Sequence, residues 1–93
     1  MIKIVARNQV KAEKRDEFLA IAAELVQASQ AEEGCLAYDV FANVKDENEL
    51  TFIEEWKDME AIEAHNASEH FTTLVPKINE CVASSDVQLY QKA

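Results

Sequence analysis

The stretch Glu33-Gly34-Cys35-Leu36-Ala37-Tyr38-Asp39-Val40, continued by Phe52-Ile53-Glu54-Glu55-Trp56 and by Ala64-His65-Asn66-Ala67-Ser68-Glu69-His70-Phe71, decides how the chain reads. Its pieces read in order as strand, strand, helix and helix. Together they hold the only Trp, the only Gly and both His residues. Polar chemistry and aromatic surface thus fall on segments whose patterning packs them against one another. The rest of the chain reads as their scaffold.

Upstream, Ile2 to Gln9 alternates Ile2, Ile4, Ala6 and Asn8 against Lys3, Val5, Arg7 and Gln9, the period of a strand. Asn8 shares the apolar face, an odd place for an amide. From Glu13 to Ala31, Phe18, Ile21, Ala22, Leu25, Val26 and Ser29 recur at helical spacing on one face. Gly34 follows as the expected left-handed helix stop. Cys35 to Val44 predicts a second strand, apolar on both faces, and Lys45-Asp46-Glu47-Asn48 a polar turn. Leu50 to Trp56 predicts a third strand, paired with the second as an antiparallel hairpin. Asp58 is a predicted N-cap for a short helix over Met59 to Ala64, and Ser68 for another running to about Cys81. Pro76 lies inside the latter and predicts a bend near Thr72–Leu74, since an interior proline removes a helix hydrogen bond. Val87 to Tyr90 closes the pattern as a final strand.

The order β-α-β-β-α-α-β is a ferredoxin-like split β-α-β plan, α+β, with a four-stranded antiparallel sheet and its second helix broken in two. Helices of this plan cover one sheet face. A bare second face with apolar residues is a liability in a monomer, so a homodimer packed sheet face to sheet face is expected.

A chain of 93 residues reads as one domain. At this size only about 60–65% of the unfolded surface is buried on folding, so a subunit interface would help. The net charge of −9 sets nucleic acid and anionic membranes aside as partners. No apolar run approaches the roughly 20 residues of a membrane span. Charge interrupts the N-terminus too early for a signal peptide, and the cytoplasm is the expected compartment. Cys35 and Cys81 form no C-x-x-C pair and read as buried thiols in a reducing compartment. A single Gly leaves no phosphate-cradling loop, and hence no nucleotide cofactor is expected.

His65 is the leading chemical candidate: near the apolar face of its helix, it could take a proton from a phenol at neutral pH. Its bland alternative is a core histidine bonded to a carbonyl or carboxylate. Asn8 could hold an anion or simply satisfy a strand end. Trp56, Phe71, Leu74 and Tyr38 are candidate walls for a flat ring, or ordinary core. Glu54, on the face of Phe52 and Trp56, is a possible buried acid or partner for histidine; Glu55 faces the other way. His65 and His70, five apart, would lie roughly 140° from each other on one continuous helix, which argues against a metal pair.

These residues resemble the antibiotic biosynthesis monooxygenase family. The likeness is carried by Glu33 through Tyr38, Glu54-Glu55-Trp56, Ala64-His65 through His70-Phe71, and the opening Val5-Ala6-Arg7-Asn8. It implies a dimeric α+β barrel with a pocket between each sheet and its own helices. It implies oxygenation of an electron-rich aromatic substrate such as a quinol or polycyclic phenol by O₂, without metal or flavin cofactor. Asn8 falls where many members place a polar pocket residue, His65 at a pocket position of the short helix, and Trp56 at the aromatic ending strand three. Relative to the haem-degrading branch, His65 replaces the helix aromatic and Val75 stands at the haem-ligating position. Ala12-Glu13 replaces a common Pro-Gly turn. An isomerase or tautomerase using the same pocket, acting on a small metabolite with or without a phosphate, is the alternative; for a phosphate, only Lys3, Arg7 and Lys77 are remotely placed. A non-catalytic ligand-binding dimer is the third reading.

Overall fold

A computed structural model describes residues 1–93. Strand β1 (Ile2–Val10) leads through a single 3-10 turn at Ala12–Lys14 into helix α1 (Arg15–Gln30). A hairpin of β2 (Cys35–Asn43) and β3 (Asp46–Trp56) follows, then helices α2 (Met59–Asn66) and α3 (Glu69–Glu80), and β4 (Val82–Tyr90). The sheet order is β2-β3-β1-β4, every neighbouring pair antiparallel. This is the α+β, ferredoxin-like arrangement expected from the element order. No helix is long and apolar enough to cross a membrane.

Alternation decides which sheet face carries the core. Ile4, Asn8 and Val10 of β1 and Leu50, Phe52, Glu54 and Trp56 of β3 are buried on one face, beneath Phe18, Ala22 and Leu25 of α1, Ile62 of α2 and Ile78 of α3. Each large apolar side chain so buried contributes about 1.5–3 kcal/mol. Two polar groups, Asn8 and Glu54, are thus carried into the core by strand parity. The register joins them to opposite rows: Ile4 pairs with Glu54 and Asn8 with Leu50. The outer face mixes Val5, Ile53, Ala37 and Phe41 with Lys3, Arg7 and Glu55, Glu55 lying opposite to Glu54 as its parity requires.

Caps set the helix starts. The Asp58 carboxylate accepts from the Ala61 amide at 2.8 Å, and the Ser68 hydroxyl accepts from the Phe71 amide at 3.3 Å. Ser68 also donates to the His65 carbonyl at 2.6 Å, tying the end of α2 to the start of α3. Helix α3 runs unbroken through Pro76 from Glu69 to Glu80.

Three expectations need correction. Gly34 does not adopt a left-handed conformation; it is required by space, because a Cβ there would lie 2.3 Å from the Cβ of Ala61. The absence of a side chain lets α2 lie against the entry to β2, where the Lys57 amide donates to the Gly34 carbonyl at 2.9 Å. The hairpin turn is Val44-Lys45, not the polar run to Asn48, because Asn43 pairs with Asp46. Finally, β4 begins at Val82. Its Ala83–Asp86 segment carries no apolar alternation, yet its backbone completes the ladder with β1 at the sheet edge.

Candidate active site

Between the sheet and the helices lies a cavity of about 370 Å³. Its floor is Ile4, Ala6 and Asn8 of β1 with Phe52 and Glu54 of β3, its inner end Tyr38 and Leu25. The roof is Met59, Ile62, His65 and Asn66 of α2 with Phe71, Val75, Ile78 and Asn79 of α3. On the open side, Ser85, Val87 and Leu89 of β4 complete it, and there Val87 and Leu89 are 58% and 47% exposed because no helix covers them. The lining is mostly apolar and contains no Lys or Arg.

His65 is almost wholly buried, and its Nδ1 lies 2.6 Å from Oε2 of Glu32. The same carboxylate oxygen lies 2.8 Å from Nε2 of His70. An ionised carboxylate only accepts, so Glu32 places the proton of neutral His65 on Nδ1 and leaves Nε2 as the basic nitrogen. Burial holds the His65 imidazole below its ordinary value, and the bond to Glu32 opposes that shift without overcoming it. The ring is clamped by aromatics: Trp56 at 4.5 Å between centroids, Phe71 edge-on at 5.1 Å and Tyr38 at 5.5 Å. A neutral, oriented base with one free nitrogen is the result, the arrangement in which a carboxylate fixes an imidazole for proton abstraction.

Glu54 is the second titratable group of the cavity. Burial pushes its carboxyl up to about 7, although the Trp56 indole N–H, donating to Oε1 at 2.8 Å, favours the ionised form. It can therefore hold or release a proton near neutrality. Tyr38 is a poorer acid than a free phenol, held up first by burial and next by the charge of Glu54. Both cysteines are unpaired. Burial raises the thiols, that of Cys81 to about 11, so neither is poised as a nucleophile.

His65, Asn8, Tyr38 and Phe71 line the cavity together. Trp56 and Leu74 do not. Trp56 is fully buried behind His65 and acts on that ring and on Glu54 instead of on a guest. Leu74 packs against the core. Asn8 also differs from the anion-holding donor expected of it: both hydrogens of its amide go to backbone carbonyls, Ala6 and Leu50, at 3.2 Å each. What it can offer the cavity is its carbonyl oxygen, an acceptor suited to a hydroxyl.

Sequence reasoning missed Glu32. It sits in the turn after α1, outside any periodic pattern, beside an equally acidic Glu33. Only the tertiary fold selects one of the two. The spacing argument on His65 and His70 also fails, because the helix ends at Asn66 and restarts at Glu69. The two rings come within 5.8 Å, and one ligand atom each from Glu32, His65 and His70 lie within 4.8 Å of one another. Val75 lines the cavity with an aliphatic side chain.

The sequence profile of the antibiotic biosynthesis monooxygenase family matches residues 1–77. The chain belongs to this family. It is 45% identical over 84 residues to YcnE of Bacillus subtilis, a protein provisionally named a monooxygenase, with 90% of this chain and 88% of that one covered. The crystal structure of an antibiotic biosynthesis monooxygenase superposes with a TM-score of 0.95 at 41% identity, covering 100% of this chain and 99% of that one. A conserved protein from Methanosarcina mazei superposes with a TM-score of 0.97 at 36% identity, covering 99% and 92%.

Proposed function

We propose that this chain is a monooxygenase that oxidises a quinol or polycyclic phenol with O₂, with His65 as the base and no flavin or metal taking part. The carrying observation is the 2.6 Å bond between Glu32 and Nδ1 of His65, which frees Nε2 for a guest in a mostly apolar cavity. Nε2 takes the phenolic proton, and the resulting phenolate is electron-rich enough to pass an electron to O₂. Joining of the two radicals forms a ring C–O bond and a hydroperoxide. Loss of the hydrogen on that carbon, with cleavage of the O–O bond, gives a carbonyl and one water. Substrate and O₂ thus become an oxygenated quinone and H₂O, with two hydrogens of the substrate leaving in the water. Glu54, protonated near neutrality, is placed in the same cavity to supply the proton that the departing oxygen needs. Asn8 orients a substrate hydroxyl through its carbonyl oxygen, and the apolar lining keeps water from the reduced-oxygen intermediate.

The absence of Lys and Arg from the lining speaks against a phosphorylated substrate. Lys3 and Arg7 share the outer sheet face and are exposed, as is Lys77. An acid and a base in one cavity also suit an isomerase, and oxygen separates the two readings. Oxygen uptake with a panel of quinols is expected to fall by about 10²–10⁴-fold in His65→Ala, and turnover is expected to stop under anaerobic conditions. Unchanged uptake in His65→Ala removes that residue from the reaction; an undiminished anaerobic rate makes the protein an isomerase.

Pairing of two copies through the outer sheet face is part of the same proposal. Phe41 is 50% exposed there, and Val5 and Ile53 only half-buried. Light scattering of the purified chain is expected to give a dimer, converted to monomer by Ile53→Arg.

A further inference from the structure

We propose that Glu32, His65 and His70 also form a binding site for one divalent transition-metal ion of the zinc class, and that occupancy of this site and base catalysis by His65 exclude each other. The donors are two imidazole nitrogens and a carboxylate oxygen, brought within 4.8 Å of one another by three separate segments. Their set matches a zinc site with three protein ligands, and it favours zinc, cobalt, nickel or copper over magnesium and calcium, which prefer all-oxygen sites.

Binding requires the donors to rearrange: the two imidazole nitrogens, up to 4.8 Å apart, must close to roughly the 3.3 Å edge of a tetrahedral site while the nitrogen–oxygen pairs open. Zinc bonds of about 2.0–2.2 Å at tetrahedral angles place ligand atoms roughly 3.3 Å apart. The two nitrogen–oxygen separations, now 2.6 and 2.8 Å, must open by roughly 0.5–0.8 Å. Glu32 can yield, since it sits in a turn and both of its contacts use the one oxygen Oε2. Of the histidines, His65 is the better fixed, with Trp56 packed on its ring, so the approach of the two nitrogens falls to rotation of the partly exposed His70 ring. Side-chain exposures of 22% for His70 and 17% for Glu32 give an ion an entry and leave room for water as a fourth ligand. A net charge of −9 raises the local concentration of cations.

The exclusion follows from the imidazole itself. A neutral ring carries one N–H. With Nδ1 on Glu32 that hydrogen is on Nδ1, and Nε2 is a base; with Nδ1 on a metal the hydrogen must be on Nε2. One proton leaves Nδ1 to solvent and one is taken up at Nε2, with no net change. The cavity then meets an N–H donor in place of a base. This consequence rests on the oxygenase reading above, whereas the binding itself does not.

The test is calorimetric titration of the chelator-treated protein with zinc chloride, without substrate, in wild type, His70→Gln and Glu32→Gln. His70→Gln retains an N–H to donate to Glu32 while removing the ligand nitrogen, and circular dichroism checks that each variant is folded. One zinc per chain is expected, at micromolar affinity or better, weakened at least tenfold in both variants and not displaced by equimolar calcium. No binding, binding indifferent to His70→Gln, or equal competition by calcium overturns the site. Zinc is also expected to inhibit quinol oxidation in parallel with binding. Stoichiometric binding with unaffected turnover overturns the exclusion, and binding in a protein that oxidises no quinol leaves the site standing while the oxygenase reading falls.

Discussion

Two carboxylates serve the candidate site, Glu54 within the cavity lining and Glu32 behind His65, and their surroundings differ. Glu32 comes from a turn, keeps partial contact with solvent, and gives one oxygen to two imidazoles. Glu54 comes from near the end of β3, is 5% exposed, and accepts from the Trp56 indole N–H. The first fixes Nδ1 of His65; the second is pushed by burial toward the protonated form at neutral pH. In the mechanism proposed above, chemically identical side chains thus serve as the partner that orients an imidazole and as a proton donor. The difference teaches that solvent access and the identity of one hydrogen-bond donor decide the role.

The contrast can be broken first at Glu32. Glu32→Gln is expected to lower turnover on the order of 10- to 100-fold. Because the charge that favours imidazolium is gone, the limb of the kcat/KM profile belonging to His65 should move to lower pH. A purely structural role for Glu32 would reduce activity without moving that limb.

A smaller effect, on stability, comes from Glu54. Its folded value of about 7 stands above the ordinary 4.5. The folded state therefore binds more protons than the unfolded one between these values. The stabilisation is complete below pH 4.5 and is lost as pH rises toward 7, a change on the order of 3 kcal/mol. His65, held down by burial, contributes the opposite slope. Chemical denaturation of Glu54→Gln beside wild type isolates the first: the variant should gain on the wild type as pH rises from 5 to 7.5, while retaining an acceptor for Trp56. A constant difference across that range would show that Glu54 does not titrate there.

The smallest expected effect concerns the turn that leads from Glu32 into β2. Gly34→Ala should cost about 1–3 kcal/mol by overpacking against Ala61. Ala61→Gly in the same chain should restore most of it. No rescue would mean that space is not what Gly34 supplies.

The sequence made one part of this contrast legible. Strand alternation carried Asn8 and Glu54 onto the apolar face of the sheet, and the caps Asp58 and Ser68 located the helices that hold the histidines. Alternation could not report that the Asn8 amide would be spent on Ala6 and Leu50, because hydrogen-bond partners across strands depend on register. Glu32 was illegible for a related reason: its role exists only where a turn, the end of α2 and the start of α3 converge. The first half of β4 escaped detection because an uncovered edge strand has no need of a buried face. Trp56 was expected as a wall for the guest or as ordinary core; the fold packs it behind His65, outside the cavity lining, because that ring lies against it at 4.5 Å.

Proton abstraction by His65 depends on which of its nitrogens carries the hydrogen. Nitrogen NMR of the imidazole-labelled protein at pH 7 reads this directly, without substrate or assay. A neutral ring protonated at Nδ1, whose Nε2 resonance shifts when a phenol is added, is the predicted result. A hydrogen on Nε2, or a charged ring at that pH, would contradict it.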